Sequence, residues 1–426
     1  MSASLHCCLQ EQAPHPPQQP AFRTSSYIWY RAQRLFKKKS REIQTANRGK
    51  RMLIDKIKII HQGDSNGNGW TIQVKLPSGR TLFALATENV YGGDWDLGPT
   101  WNYLVKTDSP FLIDTGRYGM GGRLLEMIDQ AGLSVQDLKA ITLSHGHEDH
   151  DGGLSEMAQR TGIPVWVHPI YQSLSRSYPG KAPQMYKENF SASCWHCFMP
   201  ESFTREHCVE YHRKRSSLEY NLLEDSRSPF ESAVRIHHLP GHCPDSVAFQ
   251  IGEEALIVGD NILPDITPHP SQEAFFRWTR SILPPEFDRP EKIYGLSAYL
   301  RSLKKLAALG RAFPEMIVLQ AHRLFYDHSW RIIELEKRSM EIIEHHVQRC
   351  ASILSSLKKQ GPRTVKEIVL SHFEPRLLKG LGSKMAEGEV KSHLELLEHS
   401  GDIEWQSEDT VRATGTTRFE QYIREI

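Results

Sequence analysis

The run Ala140-Ile141-Thr142-Leu143-Ser144-His145-Gly146-His147-Glu148-Asp149-His150-Asp151-Gly152-Gly153 decides how this chain is read. Its first five residues have the apolar character of a short buried strand. His145 and His147 stand two apart where that strand ends, so extended backbone aims both rings at one face. Asp149 and His150 follow where the chain turns sharply into a helix, and Gly152 and Gly153 permit such a close turn. A catalytic divalent metal needs neutral imidazoles and carboxylates converging on one point, with a position left open for water. Histidine makes up 21 of the 426 residues. Four donors within six residues on a strand-to-helix turn are therefore poorly explained as a His-rich surface loop.

One local cluster cannot complete two metal shells, so further donors should lie at other strand ends. Working outward, strands are expected at Lys56–His61, Thr71–Leu76, Thr81–Ala84, Asn102–Val105, Phe111–Ile113 and Pro164–His168. Helices are expected at Gly122–Ala131 and Gly153–Arg160. Alternation resumes at Val234–His238, Val247–Ile251 and Ala255–Val258, then a helix at Lys292–Leu309 and a last strand at Met316–Leu319. This predicts donors at His242, on the turn Leu239-Pro240-Gly241-His242, at Asp260 after Val258-Gly259, and at His322. His328 is the alternative to His322. His168 and His269, at strand or loop ends, are candidates to line the pocket, and Cys243 either faces the cleft or is a buried thiol.

The rest of the chain frames this domain. Residues 1–51 read as a tail, Pro/Gln-rich and then basic through Lys37-Lys38-Lys39. That is either a charged arm or an extension upstream of a start at Met52; a charge run is weak evidence, so the second reading is preferred. Residues 52–335 form the catalytic domain, with an insert at 169–230 that loses the regular rhythm and suggests a flap. A long helical pattern runs from about Ser329 to Lys359, followed by helices at Thr364–Ser371 and Gly388–His399. A hairpin at Ile403–Gln406 and Val411–Ala413 closes residues 336–426, the outline of a winged helix. The net charge of +1 gives no pull toward nucleic acid or membrane, and no apolar run is long enough to span a bilayer. Seven clustered cysteines do not suggest a disulfide framework, which implies a reducing, cytoplasmic setting.

Four landmarks in this order, Phe111-Leu112-Ile113-Asp114-Thr115-Gly116, His145–Gly153, Leu239–His242 and Gly259-Asp260, resemble the metallo-β-lactamase superfamily over about residues 52–325. The resemblance implies an α/β fold, a four-layer αββα sandwich, here with a C-terminal winged-helix-like helical domain. It implies that His145, His147 and His242 hold one metal, that Asp149, His150 and His322 hold a second, and that Asp260 bridges them. Asp114 would orient loop backbone or a ligand histidine, and Asp149 would also relay a proton to the leaving group. The cofactors implied are two divalent ions, zinc or else iron or manganese. The last donor departs from the family pattern, standing in Gln320-Ala321-His322-Arg323 rather than among glycines.

Residues 336–426 resemble the C-terminal extension of the lactamase-beta-like branch. Residues 351–426 carry eleven Lys/Arg and twelve Asp/Glu, whereas a nucleic-acid module should be visibly basic. No DNA binding is therefore expected, and the segment reads as a packing or homodimerisation element. In the insert, Cys194, Cys197, Cys208 and either His207 or His212 are spaced compatibly with a third, structural zinc, against reduced thiols in a flap. The function implied is hydrolysis by a metal-bridged hydroxide of a small acyl substrate, a thioester, lactone or similar. The alternative is a single-strand-specific endoribonuclease of the lactamase-beta-like type; balanced charge argues against a strong phosphate-tracking groove.

Overall fold

Period-two alternation builds the first half. In the computed structural model, which describes residues 55–90, 96–177, 206–223 and 229–426, β1 (Ile57–His61), β2 (Thr71–Lys75), β3 (Thr81–Thr87), β4 (Thr100–Lys106) and β5 (Phe111–Ile113) pair antiparallel in sequence order. After α1 (Gly121–Gln130) the direction changes. The strands β6 (Ala140–Thr142), β7 (Val165–Val167) and β8 (Tyr220–Leu222) extend the same sheet in parallel, with α2 (Glu148–Asp151), α3 (Leu154–Thr161), α4 (Pro169–Ser177) and α5 (Cys208–Ser216) between them. The tail 1–51 lies outside the described residues.

A second sheet, in the order β12-β11-β10-β9, is made by β9 (Val234–His238), β10 (Val247–Ile251), β11 (Ala255–Gly259) and β12 (Ile317–Gln320). The short helices α6 (Phe276–Thr279) and α7 (Pro290–Ile293) and the long α8 (Gly295–Ala312) bridge β11 to the parallel β12. The sheets face each other through Ile72, Val74, Leu82, Val105, Phe111, Val247, Phe249, Ile257 and Leu319. On the outer face of the first sheet, Phe83, Leu85, Leu104 and Leu112 meet Leu124, Met127, Leu154 and Met157 of α1 and α3. Outside the second, Ala248, Leu256 and Val318 meet Leu296, Leu300 and Leu303 of α8. The result is the αββα sandwich.

Beyond β12 the expected helix from Ser329 starts later. Residues Phe325–Tyr326 (β13) and Ser329–Trp330 (β14) form a small hairpin first, and α9 spans Leu335–Gln360. The reason is aromatic: Trp330 packs edge-on against Trp70 and Phe325, at ring distances of 5.7 and 5.0 Å, and cannot serve a helix face there. Then follow β15 (Arg363–Thr364), α10 (Val365–His372), α11 (Leu381–His399), β16 (Ile403–Trp405), β17 (Thr410–Ala413) and α12 (Phe419–Glu425). Thr364 and Glu367 make a reciprocal capping box on α10. The helix expected from Gly388 begins seven residues earlier, and α12 was not foreseen at all. These C-terminal helices have no separate core. Ile342, Ile353, Leu357, Val390, Leu394 and Leu397 share one apolar cluster with Leu296, Leu300 and Leu303 of α8. Each such side chain contributes roughly 1.5–3 kcal/mol, so the segment is fastened to the sandwich rather than tethered to it. No helix among the described residues is long and apolar enough to cross a membrane.

Candidate metal centre

Donors gather where strands end. His145 and His147 follow β6, with His147 immediately before α2, which carries Asp149 and His150. His242 follows β9, Asp260 follows β11, and His322 follows β12. Gly259 lies between Ile257 and Asp260 at a register irregularity with φ 54°. A Cβ on it would fall 2.7 Å from the Ser144 side chain, so only glycine lets the ends of β11 and β6 close up. Gly152 acts differently from the sequence reading. Its φ is an ordinary −61°, and what demands glycine is the chain at Arg117-Tyr118, whose Tyr118 nitrogen lies 2.0 Å from where a Cβ would sit.

The side chains converge. The His145 Nε2 and His147 Nδ1 atoms are 3.1 Å apart, and the His242 ring lies 5.1 and 4.7 Å from those two rings. His322 Nε2 is 3.1 Å from Asp149 Oδ2 and 3.5 Å from Asp260 Oδ1. Asp260 Oδ2 is 3.5 Å from His150 Nε2 and 3.7 Å from His242 Nε2. Two triads, His145–His242–Asp260 and Asp149–His150–His322, each bring their ligand atoms within 4.8 Å of one another. Cys243 is buried, and its Sγ makes a third such group with His145 and His147. His328, the alternative to His322, is exposed, has left-handed backbone and belongs to none of these groups.

Three of the imidazoles, His150, His242 and His322, are held from behind. Asp114, itself at φ 65°, accepts from Ser144 N at 2.7 Å and faces His150 Nδ1 at 3.0 Å. His242 Nδ1 lies 2.8 Å from the His269 carbonyl, and His322 Nδ1 lies 3.1 Å from that of Pro99. Donation there leaves Nε2 turned inward. The Nε2 atoms of His150, His242 and His322 and Asp260 Oδ1 are buried and make no hydrogen bond. Buried polar atoms are seldom left so, and these are the donor types that a hard-to-borderline divalent cation takes.

Electrostatics point the same way. Burial pushes His147 down to about 3 and lowers His145 and His242 as well, favouring the neutral form a ligand needs. Burial opposes charge on His150 and His322 too. There Asp149 and Asp260 outweigh it, lifting His150 well above its ordinary value and His322 to about 10. The two carboxylates stay ionised despite burial because those imidazoles face them. A divalent cation would take the place of these protons.

Several residues at the site had no sequence signal. Asn89 Nδ2 donates to Asp149 at 3.0 Å. Behind the His145–His147 loop, Asp151 is fully buried and takes Arg215, Tyr171 and Tyr211 at 2.7, 2.7 and 2.5 Å. Arg215 and Tyr211 come from α5, inside the insert that was read as a flap. Cys208 and His212 are buried on the same helix, while Cys194 and Cys197 lie outside the described residues. His168 does not stand alone: its ring stacks on His238 at 4.2 Å.

Asp245 is also buried, with Oδ2 making no hydrogen bond, and burial raises its carboxyl to about 7. A raised acid favours the folded state below its unfolded value, and that advantage is lost as pH rises through about 7. Asp245→Asn is therefore expected to stabilise the metal-free protein by roughly 2–4 kcal/mol at pH 8, with the gap closing below about pH 4. Denaturant midpoints across that range check it, and equal midpoints at pH 8 would refute it.

Residues 95–322, more than half of the chain, match the family model described as the metallo-beta-lactamase superfamily. The probable metallo-hydrolase YflN of Bacillus subtilis (strain 168) is 29% identical over 156 residues, which are 36% of this chain and 55% of that one. Hydroxyacylglutathione hydrolase GloC of Haemophilus influenzae is 28% identical over 153 residues, 36% of this chain and 60% of that one. The match thus spans less than two thirds of either relative. Among solved structures, a beta-lactamase domain protein from Burkholderia ambifaria superimposes with a TM-score of 0.59 at 18% identity, covering 84% of this chain and 97% of that one. A metallo-beta-lactamase family protein from Thermus thermophilus gives 0.56 at 24%, covering 78% and 98%. With the sandwich, the strand-end donors and the family match in agreement, the chain belongs to the metallo-beta-lactamase superfamily.

Proposed function

We propose that the protein is a hydrolase that works with two divalent cations, zinc before iron or manganese, on a small acyl substrate such as a thioester or lactone. The observation that carries this is the convergence of three buried Nε2 atoms and Asp260 Oδ1, all without hydrogen bonds, at adjacent strand ends. His145, His147 and His242 would hold one cation, Asp149, His150 and His322 the other, with Asp260 between them. When bound, such a pair supplies a water acidified toward neutrality and a Lewis acid for the scissile oxygen. The chain's own part is preorganisation. Asp114, Pro99 and His269 fix ring orientation, and Asn89 steadies Asp149, whose ionised carboxylate can accept a proton and pass it to the leaving group. A relative named hydroxyacylglutathione hydrolase is the ground for placing an acyl compound first.

The test is a panel of thioesters, lactones and single-stranded RNA given to metal-loaded protein and to Asp149→Ala. Acyl turnover that falls by about 10²–10⁴-fold in the variant is expected. RNA cleavage that disappears in the variant, with inert acyl compounds, would overturn the substrate assignment in favour of an endoribonuclease. Elemental analysis of the same preparations identifies the metal.

A further inference from the structure

The ligand His242 is tied to the C-terminal segment through a single loop. Its Nδ1 lies 2.8 Å from the carbonyl of His269. Two residues on, Ser271 N and Oγ both bond the carbonyl of Gly241, at 2.7 and 2.8 Å, so residues 269–271 hold the turn that carries His242 as well as its ring. The other side of this loop rests on α11. His269 Nε2 meets the Met385 carbonyl at 3.1 Å. A Cβ on Gly388 would fall 2.9 Å from that same Nε2 and 3.3 Å from Gln272. The two oxygens of Glu395 accept separately from Glu273 N at 2.8 Å and Ala274 N at 2.9 Å, and His399 Nε2 meets Glu273 at 2.7 Å.

Residues 385, 388, 395 and 399 recur at intervals of three, seven and four, which places them on one stripe of the helix. Beside that stripe, Ala386, Val390, Leu394 and Leu397 are buried in the core shared with α8. The helix is thus fixed by apolar packing and presents a row, the Met385 carbonyl, Gly388, Glu395 and His399, that fits the 269–274 loop. A short carbonyl-to-imidazole contact is sensitive to displacements of a few tenths of an ångström, and this row sets where that carbonyl stands.

We infer that α11 is a positioning element of the metal site: Glu395, with Gly388 and His269, seats the loop whose carbonyl orients His242. The C-terminal segment then has a task in the chemistry of the sandwich, separate from any partner it meets. This inference rests on His145, His147 and His242 holding a metal, and the experiment separates the two ideas.

Full-length wild type, Glu395→Gln and Gly388→Ala are each loaded with cobalt(II) and titrated with a chelator. The first variant keeps size but leaves one of two backbone N–H groups poorly accepted; the second drives a methyl group against the His269 ring. Glu387→Gln, at an exposed ion pair with Lys391, is the control. Circular dichroism and unfolding midpoints establish that each variant folds, and if Gly388→Ala does not, Glu395→Gln decides alone. Removing a partner that orients a ligand histidine weakens metal binding by about 10–100-fold. The expected result is that loss for one cobalt equivalent only, with a changed visible spectrum and the second equivalent held as in wild type. Wild-type affinity and spectrum in folded variants would overturn the inference, as would equal weakening of both equivalents in step with the midpoint. A wild-type chain that binds no cobalt overturns the metal reading itself, and this inference with it.

Discussion

Replacing Arg215 with alanine is expected to destabilise the fold by about 3–5 kcal/mol, lowering the thermal midpoint by roughly 4–6 °C. Arg215 and Asp151 are both buried, 1% and 0% exposed at the side chain, with 2.7 Å between them. Burial holds the Asp151 carboxyl above its usual value even with the guanidinium present. Without it, only two tyrosine hydroxyls would face a charge that cannot reach water, and the cost of an unpaired buried ion is several kcal/mol. The same Nη1 lies 3.4 Å from the Gly146 carbonyl, so the loop between His145 and His147 loses a support as well. Arg213→Ala is the comparison. That side chain is 69% exposed and pairs with Glu210 at the surface, so its loss should stay within about 0.5 kcal/mol. Adding Asp151→Asn to Arg215→Ala should restore part of the midpoint, because the uncompensated charge is gone. A loss below about 1 kcal/mol for Arg215→Ala would show that the pair does not hold the loop.

That pair also marks the boundary of what the amino-acid sequence reveals. The run from His145 to His150 is readable because its candidate donors are neighbours along the chain, and His242, Asp260 and His322 are readable because each follows the end of a strand. The sandwich follows from the same alternation, since β3 sends Leu82 and Ala84 to one core and Phe83 and Leu85 to the other. Arg215 has no such signal. It lies on a mostly polar helix, Cys208–Ser216, and its partner is 64 residues away. Contacts made by backbone atoms are equally silent: nothing in the identity of residue 269 says that its carbonyl supports His242. Elements defined by distant partners were misplaced for the same reason. The helix α12 starts where Asp402 accepts from Arg418 N and Phe419 N, a cap supplied from 16 residues upstream. The stretch before Leu335 has helical spacing, but the aromatic cluster around Trp70 takes Trp330 instead.

Asp260→Asn should abolish the chemistry while leaving the fold standing. Asp260 is the carboxylate that faces imidazoles of both triads, its Oδ2 turned to His242 and His150 and its Oδ1 to His322. The substitution keeps shape and removes the charge, so the three rings lose their common counter-ion at the one place where both candidate cations would share it. Turnover of whichever panel compound the wild type accepts is expected to fall at least about a thousandfold, equivalent to roughly 4 kcal/mol of lost transition-state stabilisation. Metal content after mild chelation should fall by more than the single equivalent expected from a one-sided ligand such as His322→Ala. Asp114→Asn offers the contrast, since Asp114 reaches the site through Ser144 and His150 and its loss should weaken binding by only about 10–100-fold. The ordering matters more than any one value. If Asp260→Asn kept two tightly held equivalents and a tenth of the wild-type rate, Asp260 would be a neighbour of the centre, and the case for paired cations would have to rest on the two triads alone.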